Sequence, residues 1–172
     1  MKPRRRLRLS SHRVEKWPEP VERVAAVLRA QGVDARLEEF PRGTSTAEAA
    51  ARAVGCEPAQ IVKSLVFVCD GLPVLALVPG DLRADASRVA AAAGARNARV
   101  ATPDEVLTAT GFEAGGVAPF PAPLVARVLI DRQLLRNELV WAGAGTHRHV
   151  MGLSPGDLAR LTNGETADLA EI

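Results

Sequence analysis

Tyrosine is absent from this 172-residue chain, and aromatic residues make up only 3% of it. Binding single-stranded nucleic acid by stacking requires several exposed rings, so that mode is not expected here. Cysteine is almost absent as well. Cys56 and Cys69 lack CxxC spacing, no secretory leader pattern is visible, and the two are expected to be reduced core thiols rather than a disulfide. No apolar run approaches the roughly 18 residues needed to cross a bilayer, so a soluble, cytoplasmic protein with no membrane partner is the expectation. GxGxxG and GxxxxGK(S/T) are both missing, which leaves no support for a dinucleotide or Walker-type nucleotide site. With 47% hydrophobic residues and so few rings, Ala, Val and Leu must fill the interior.

Lysine is the next scarcity. Of 22 basic residues, only Lys2, Lys16 and Lys63 are lysine. Lys63 stands in the most apolar stretch of the chain, Ile61-Val62-Lys63-Ser64-Leu65-Val66-Phe67-Val68-Cys69. A protein that writes nearly every cation as arginine and places a lysine there has a use for a compact ammonium rather than a planar fork. An unpaired buried ammonium costs several kcal/mol or titrates away, so Lys63 must reach a carboxylate, a solvent-filled pocket or an anionic ligand. A strand-end lysine whose stem lies on apolar surface while its head reaches water is the plainer alternative.

Turn and cap signals divide the rest of the chain. After Pro18 and Pro20, Val21, Val24, Ala25, Val27 and Leu28 share one helical face that ends at Gly32. A strand over VDARLEEF follows. Ser45 and Glu48 have capping-box spacing, predicting a helix from Thr46 to about Val54 that stops at Gly55. Asp70-Gly71 joins two apolar runs and predicts a hairpin. Asp85 to Ala93 reads as an alanine-rich helix ended by Gly94, and a short strand follows it. Thr102-Pro103-Asp104-Glu105 opens a helix that ends at Gly111. VARVLID, ELVWAGAG and HRHVMGL are strand-like. Ser154 caps a final helix, and a polar tail closes the chain. Mixed order and hairpins favour an α/β (α+β-like) single domain, a mixed and mainly antiparallel sheet with helices around it. The expected domain spans residues 18–172.

Residues 1–17 form a basic leader, expected to lie outside the fold. Lys2, Arg4, Arg5, Arg6, Arg8, Arg13 and Lys16 oppose only Glu15, and the remainder of the chain is mildly acidic. The leader reads as a disordered extension, as an electrostatic arm for RNA phosphates, or as a transit sequence.

Two glycine-rich passages are the other candidates for a site. In Gly111-Phe112-Glu113-Ala114-Gly115-Gly116-Val117, paired glycines permit close approach of backbone N–H groups to an anion or oxyanion, or simply a turn at positive φ. In Ala142-Gly143-Ala144-Gly145-Thr146, small residues leave room for another backbone or a substrate. His147 and His149 are placed two apart on one strand face, fitting a polar face, a substrate contact or half of a metal pair, but no third ligand is apparent and no metal is expected. Glu38-Glu39 reads as a solvated strand end, and Trp141 as sheet packing.

The lysine strand after a helix, the Asp-Gly hairpin, the TG-F-EAGGVAPFP loop and WAGAGTHRHVMGLSPGDLARLT, in that order over about residues 21–161, resemble the YbaK/EbsC family. That family is related to the editing domain inserted in bacterial prolyl-tRNA synthetases. The resemblance implies a curved, mainly antiparallel sheet and hydrolysis of the ester that joins a wrong amino acid to the 3′ acceptor end of a tRNA, without cofactor or metal. It implies Lys63 as the central functional residue, with Gly115 and Gly116 as oxyanion donors. Phe40, Ser64, Gly111, Gly143, Gly145 and His147 are the candidates for substrate binding. The chain departs from members acting on cysteinyl-tRNA at Ser64, where threonine is usual, and at Phe40, where tyrosine is usual, so the amino acid is left open. A catalyst for a small misplaced amino acid is the first expectation. A non-catalytic module of the same fold that binds an aminoacyl or nucleotide-like ligand beside a tRNA synthetase is the alternative.

Overall fold

The computed structural model describes residues 5–8, 17–40, 42–44 and 46–171. Among the described residues nine strands form one sheet: β1 (Arg5–Arg8), β2 (Arg36–Glu39), β3 (Ile61–Cys69), β4 (Leu72–Pro79), β5 (Ala98–Val100), β6 (Arg127–Asp131), β7 (Val140–Gly143), β8 (His149–Leu153) and β9 (Glu165–Ala167). Their order is β1-β2-β8-β7-β3-β4-β6-β9, with β5 paired to β3 off this path. Pairs β3/β7, β4/β6 and β6/β9 are parallel, and the rest are antiparallel. The expected mixed, mainly antiparallel sheet is therefore present. Helices α1 (Glu19–Ala30), α2 (Ala47–Val54), α3 (Ala86–Ala93), α4 (Pro103–Thr110) and α5 (Pro155–Thr162) surround it. Among the described residues no helix is long and apolar enough to cross a membrane.

Local chemistry accounts for many of the boundaries. Asp70 (φ 49) and Gly71 (φ 84) take the left-handed pair of angles that a two-residue hairpin requires, and the β3/β4 register follows without a slip. Thr102 accepts from Glu105 N while Glu105 answers Thr102 N, the reciprocal cap expected from sequence. Arg99 adds two bonds to the same carboxylate, and these hold the Glu105 carboxyl at about 2. At α2 the cap is Thr46, whose hydroxyl accepts from Ala49 N, one residue beyond the position expected; Ser45 lies outside the described residues.

Four expectations about the chain's ends and its second strand are corrected. Arg5–Arg8 pair with β2 as an outermost strand, so this part of the leader adds to the sheet; a neighbouring strand's free backbone groups are enough to recruit it. Trp17 also belongs to the fold, edge-on to the His149 ring at 5.8 Å. The remaining leader residues, 1–4 and 9–16, lie outside the described residues. Glu38 is 4% exposed rather than solvated, because β2 is flanked by β1 and β8 and is not an edge. The polar tail contains β9, and Leu169 and Ala170 behind it are buried.

The core lies on both faces of β3 and β4. Val62, Val66, Leu75 and Leu77 meet Val24, Leu28 and Phe112 on one face, whereas Phe67, Cys69, Val74 and Ala76 meet Val89 on the other. Both cysteines are free. Cys69 is buried and Cys56 half-buried, and burial pushes both thiols up, which suits packing rather than reactivity.

Candidate functional site

The site is where β3 runs out of neighbours along one edge. β7 pairs with it only at Ile61 and Val62, and β5 only from Phe67 to Cys69. Successive backbone groups of a strand point to opposite edges. Ile61 C=O accepts from Gly80 N on the β4 side (2.8 Å), and Val66 C=O accepts from Ala101 N on the β5 side (2.9 Å). By this alternation the N–H and C=O of Ser64 face the gap between β7 and β5. A cavity of about 330 Å³ opens there.

Side chains reach this cavity from both faces of the sheet. Lys63 and Leu65 enter on the face covered by α2, with Ala47 and Ala50 beside them. Ser64, Gly115, Val117, Gly143 and Thr146 border it on the other. Lys63 is half-buried and donates from Nζ to the Leu82 carbonyl. Burial lowers its affinity for a proton, while the Glu48 and Asp81 carboxylates act against that loss and Arg83 adds to it. The Ser64 hydroxyl oxygen is buried and has no hydrogen-bond partner among the described residues. Thus an ammonium, a hydroxyl and an open strand edge converge on one space.

The second wall is two glycine loops packed against each other. A Cβ on Gly116 would lie 2.9 Å from Thr146 Cα, and one on Gly143 would lie 2.7 Å from the Val117 carbonyl oxygen. Gly115 (φ +89) has nothing within 4 Å of its missing Cβ and borders the cavity. The expected pair of donors is therefore divided. Gly116 N–H is already spent on the Glu113 carbonyl at 2.9 Å, because the turn closes on itself, and its contribution is close approach. Gly116→Ala is expected to destabilise by about 1–3 kcal/mol through overpacking and to open the wall. Thermal melts read the first effect, and activity falling more than stability accounts for reads the second.

Of the residues singled out from sequence, Lys63, Ser64, Gly115, Gly143 and His147 line the cavity. Phe40, Gly111, Gly116 and Gly145 do not. Phe40 is 4% exposed, and its backbone is held by Arg148, so it braces the strand from behind. Gly111 ends α4 at φ +73, and Gly145 packs on the N-terminus of α1 at φ +111. His147 is in the turn before β8 rather than on the strand, so the two histidines do not share a strand face. Its ring lies against Gly43. Among the described residues no three His, Cys, Asp or Glu groups converge as a metal site.

Thr44, Thr46 and Trp141 also border the cavity without having been singled out as site residues from sequence, and so do Thr146, from the second glycine-rich passage, and His149, one of the two histidines weighed for substrate contact. Only a tertiary register brings them there, although the paired histidines were a visible signal. His149 is 4% exposed. Its Nδ1 meets Thr146 Oγ1, and its Nε2 has no hydrogen-bond partner among the described residues, with Glu39 Oε2 at 3.8 Å. Burial is the main force keeping this imidazole neutral; Glu39 acts against it, while Arg148 and His147 reinforce it. The folded state therefore holds fewer protons here than the unfolded chain, and the stability this contributes is present above about 6.5, the unfolded value, and lost as pH falls below that through the lowered folded value. Melting temperature should fall between pH 7 and pH 5.5 in the native protein and fall less in His149→Gln.

The chain is thus an α/β domain with a cleft at a break in its mixed sheet, bordered by polar groups from strand and loops, a candidate ligand site. More narrowly, the chain belongs to the aminoacyl-tRNA editing domain family, whose model matches residues 41–161. Its sequence is 34% identical over 127 residues to YwhH of Bacillus subtilis, covering 73% of this chain and 80% of that protein. It is 26% identical over 125 residues to EbsC of Enterococcus faecalis, a protein described as a candidate Cys-tRNA(Pro)/Cys-tRNA(Cys) deacylase, covering 72% and 76%. Proline–tRNA ligase of Nitratidesulfovibrio vulgaris (strain DP4) matches at 37% over 101 residues, which is 58% of this chain and only 18% of the ligase. A crystal structure described as a candidate trans-editing enzyme for prolyl tRNA synthetase superposes with a TM-score of 0.84 at 39% identity, covering 91% of this chain and all of that one. The mixed sheet and its helices are the editing-domain fold.

Proposed function

We propose that the protein is a trans-acting deacylase that hydrolyses the ester of a tRNA mischarged with a small amino acid. The observation that carries this reading is the convergence of Lys63, Ser64 and Gly115 on the gap in the sheet. An aminoacyl ester is already activated, so positioning and charge stabilisation can suffice without a dedicated nucleophile. Water oxygen attacks the carbonyl carbon and gives up a proton, the developing oxyanion is met by the Gly115 N–H, and the bond to the ribose oxygen breaks. That oxygen takes a proton, leaving a free tRNA hydroxyl and an amino acid.

In this reading Lys63 leaves the Leu82 carbonyl for the terminal phosphate or the ester. Gly115 supplies the loop's N–H, since that of Gly116 is occupied. Ser64 offers the substrate its hydroxyl and the open backbone edge, while Gly143 and His147 border the aminoacyl group. A space of about 330 Å³ shared with the ribose leaves room for a short side chain. The tRNA acceptor end is the partner, with a tRNA synthetase as a further association. A stable 3′-amide analogue of an aminoacyl-adenosine separates the two functions. An enzyme binds the analogue and turns over the ester, whereas binding without release of amino acid would support the non-catalytic module.

A further inference from the structure

The two glycine loops that wall the cavity are both held by α1, a helix that precedes the residues matched by the family model. Arg23, one turn into that helix, donates from Nη2 to the Gly111 carbonyl at 2.7 Å and sits over the Phe112 ring, with Cζ 4.6 Å from the centroid. Its Nε lies 2.9 Å from the largely exposed Glu19 carboxylate, an ion pair without hydrogen-bond geometry. The fit at Gly111 is tight, since a Cβ there would lie 2.7 Å from Arg23 Nη1. Phe112 is 1% exposed, and its N–H is held by Thr110, so the start of the loop has little freedom once Arg23 is in place. Three residues further on is Gly115, at the cavity.

The other loop is fixed by the same helix. A Cβ on Gly145 would lie 2.7 Å from both the carbon and the oxygen of the Pro20 carbonyl, and Thr146, next in the chain, borders the cavity. Gly116 then packs on Thr146, closing the circuit between the loops.

We infer that Arg23 is a positioning residue that sets the height of the Gly115 N–H over the reacting carbonyl. The inference rests on the deacylase reading and deepens it. An arginine is required because one planar group must sit over Phe112 and donate to Gly111 at once. Lysine keeps the charge and the pairing with Glu19 but cannot do both.

Two readouts test this in the full chain with wild type, Arg23→Lys and Arg23→Ala. The first is hydrogen exchange at the Phe112–Val117 amides. Exchange should be at least tenfold faster in both variants, with amides of β4 unchanged, and unchanged loop exchange overturns the inference. The second is deacylation. kcat should fall about tenfold or more with KM within twofold, no recovery in Arg23→Lys, and partial recovery in Arg23→Ala on adding methylguanidinium. A wild-type kcat in Arg23→Ala overturns the positioning role, as does recovery by lysine. If Arg23→Ala loses β4 protection together with the loop, Arg23 holds the whole domain and the inference also fails. Failure of the deacylase reading looks different, with faster loop exchange in the variants but no turnover by wild type on any charged tRNA.

Discussion

Lys63→Ala should lower kcat/KM for deacylation by about two to three orders of magnitude, comparable with removing one preorganised donor from an oxyanion site, while changing stability by no more than about 1 kcal/mol. The separation of the two effects follows from the environment of the ammonium. Lys63 is half-buried, burial already disfavours its charge, and its bond is to the Leu82 carbonyl at the edge of a solvent-accessible cavity. Truncation removes a hydrogen bond and a desolvation cost together, and these largely cancel in folding. Nothing cancels the loss at the substrate. Lys63→Arg should not restore activity, because the larger fork reaches the same space with different geometry. Steady-state kinetics with denaturation curves on the same preparations check both halves. A large loss of stability in Lys63→Ala would mean that the lysine is there to hold the sheet.

Asp131→Ala should do the reverse, destabilising the fold by about 3–5 kcal/mol, because several buried N–H groups lose their acceptor at once. Asp131, at the end of β6, is 2% exposed and accepts from Gln133 N at 2.9 Å, Leu169 N at 2.9 Å and Ala170 N at 3.0 Å. The segment it fixes reaches the site. Ala170 bridges Ala84, and Glu171 N donates to the Arg83 carbonyl, beside the Leu82 carbonyl that holds Lys63. Asp131→Asn keeps one acceptor oxygen and should lose roughly half as much. Urea unfolding with an unchanged slope measures this, and a loss below about 1 kcal/mol in the alanine variant would contradict the assignment.

The two residues show what could be read along the chain. Lys63 was conspicuous because it interrupts an apolar strand in a protein that otherwise uses arginine, and the Asp-Gly turn fixed the register of that strand with β4. Chain-local chemistry of this kind also placed the caps at Thr102 and Ser154. Asp131 gave no signal, since two of its three partners, Leu169 N and Ala170 N, lie nearly forty residues away in a tail that looks polar. β9 was missed for the same reason: three residues become a strand only when β6 offers an edge. The site followed this division. Gly115 was legible as a loop glycine, and it borders the cavity, but the engagement of Gly116 N–H by Glu113 is a property of the closed turn. Gly111 and Gly145 read as ligand contacts because small residues permit close approach, and it is α1 that makes the approach. The gap opposite Ser64 exists only because β7 and β5 both stop short of it.

Release of free amino acid from a panel of tRNAs charged with Ala, Cys, Ser, Thr and Pro, by wild type and by Lys63→Ala, tests the central claim most directly. The account predicts rapid release of at least one small amino acid by wild type and a rate at least a hundredfold lower in Lys63→Ala. Release at equal rates by both proteins, or no release from any member of the panel, would contradict it.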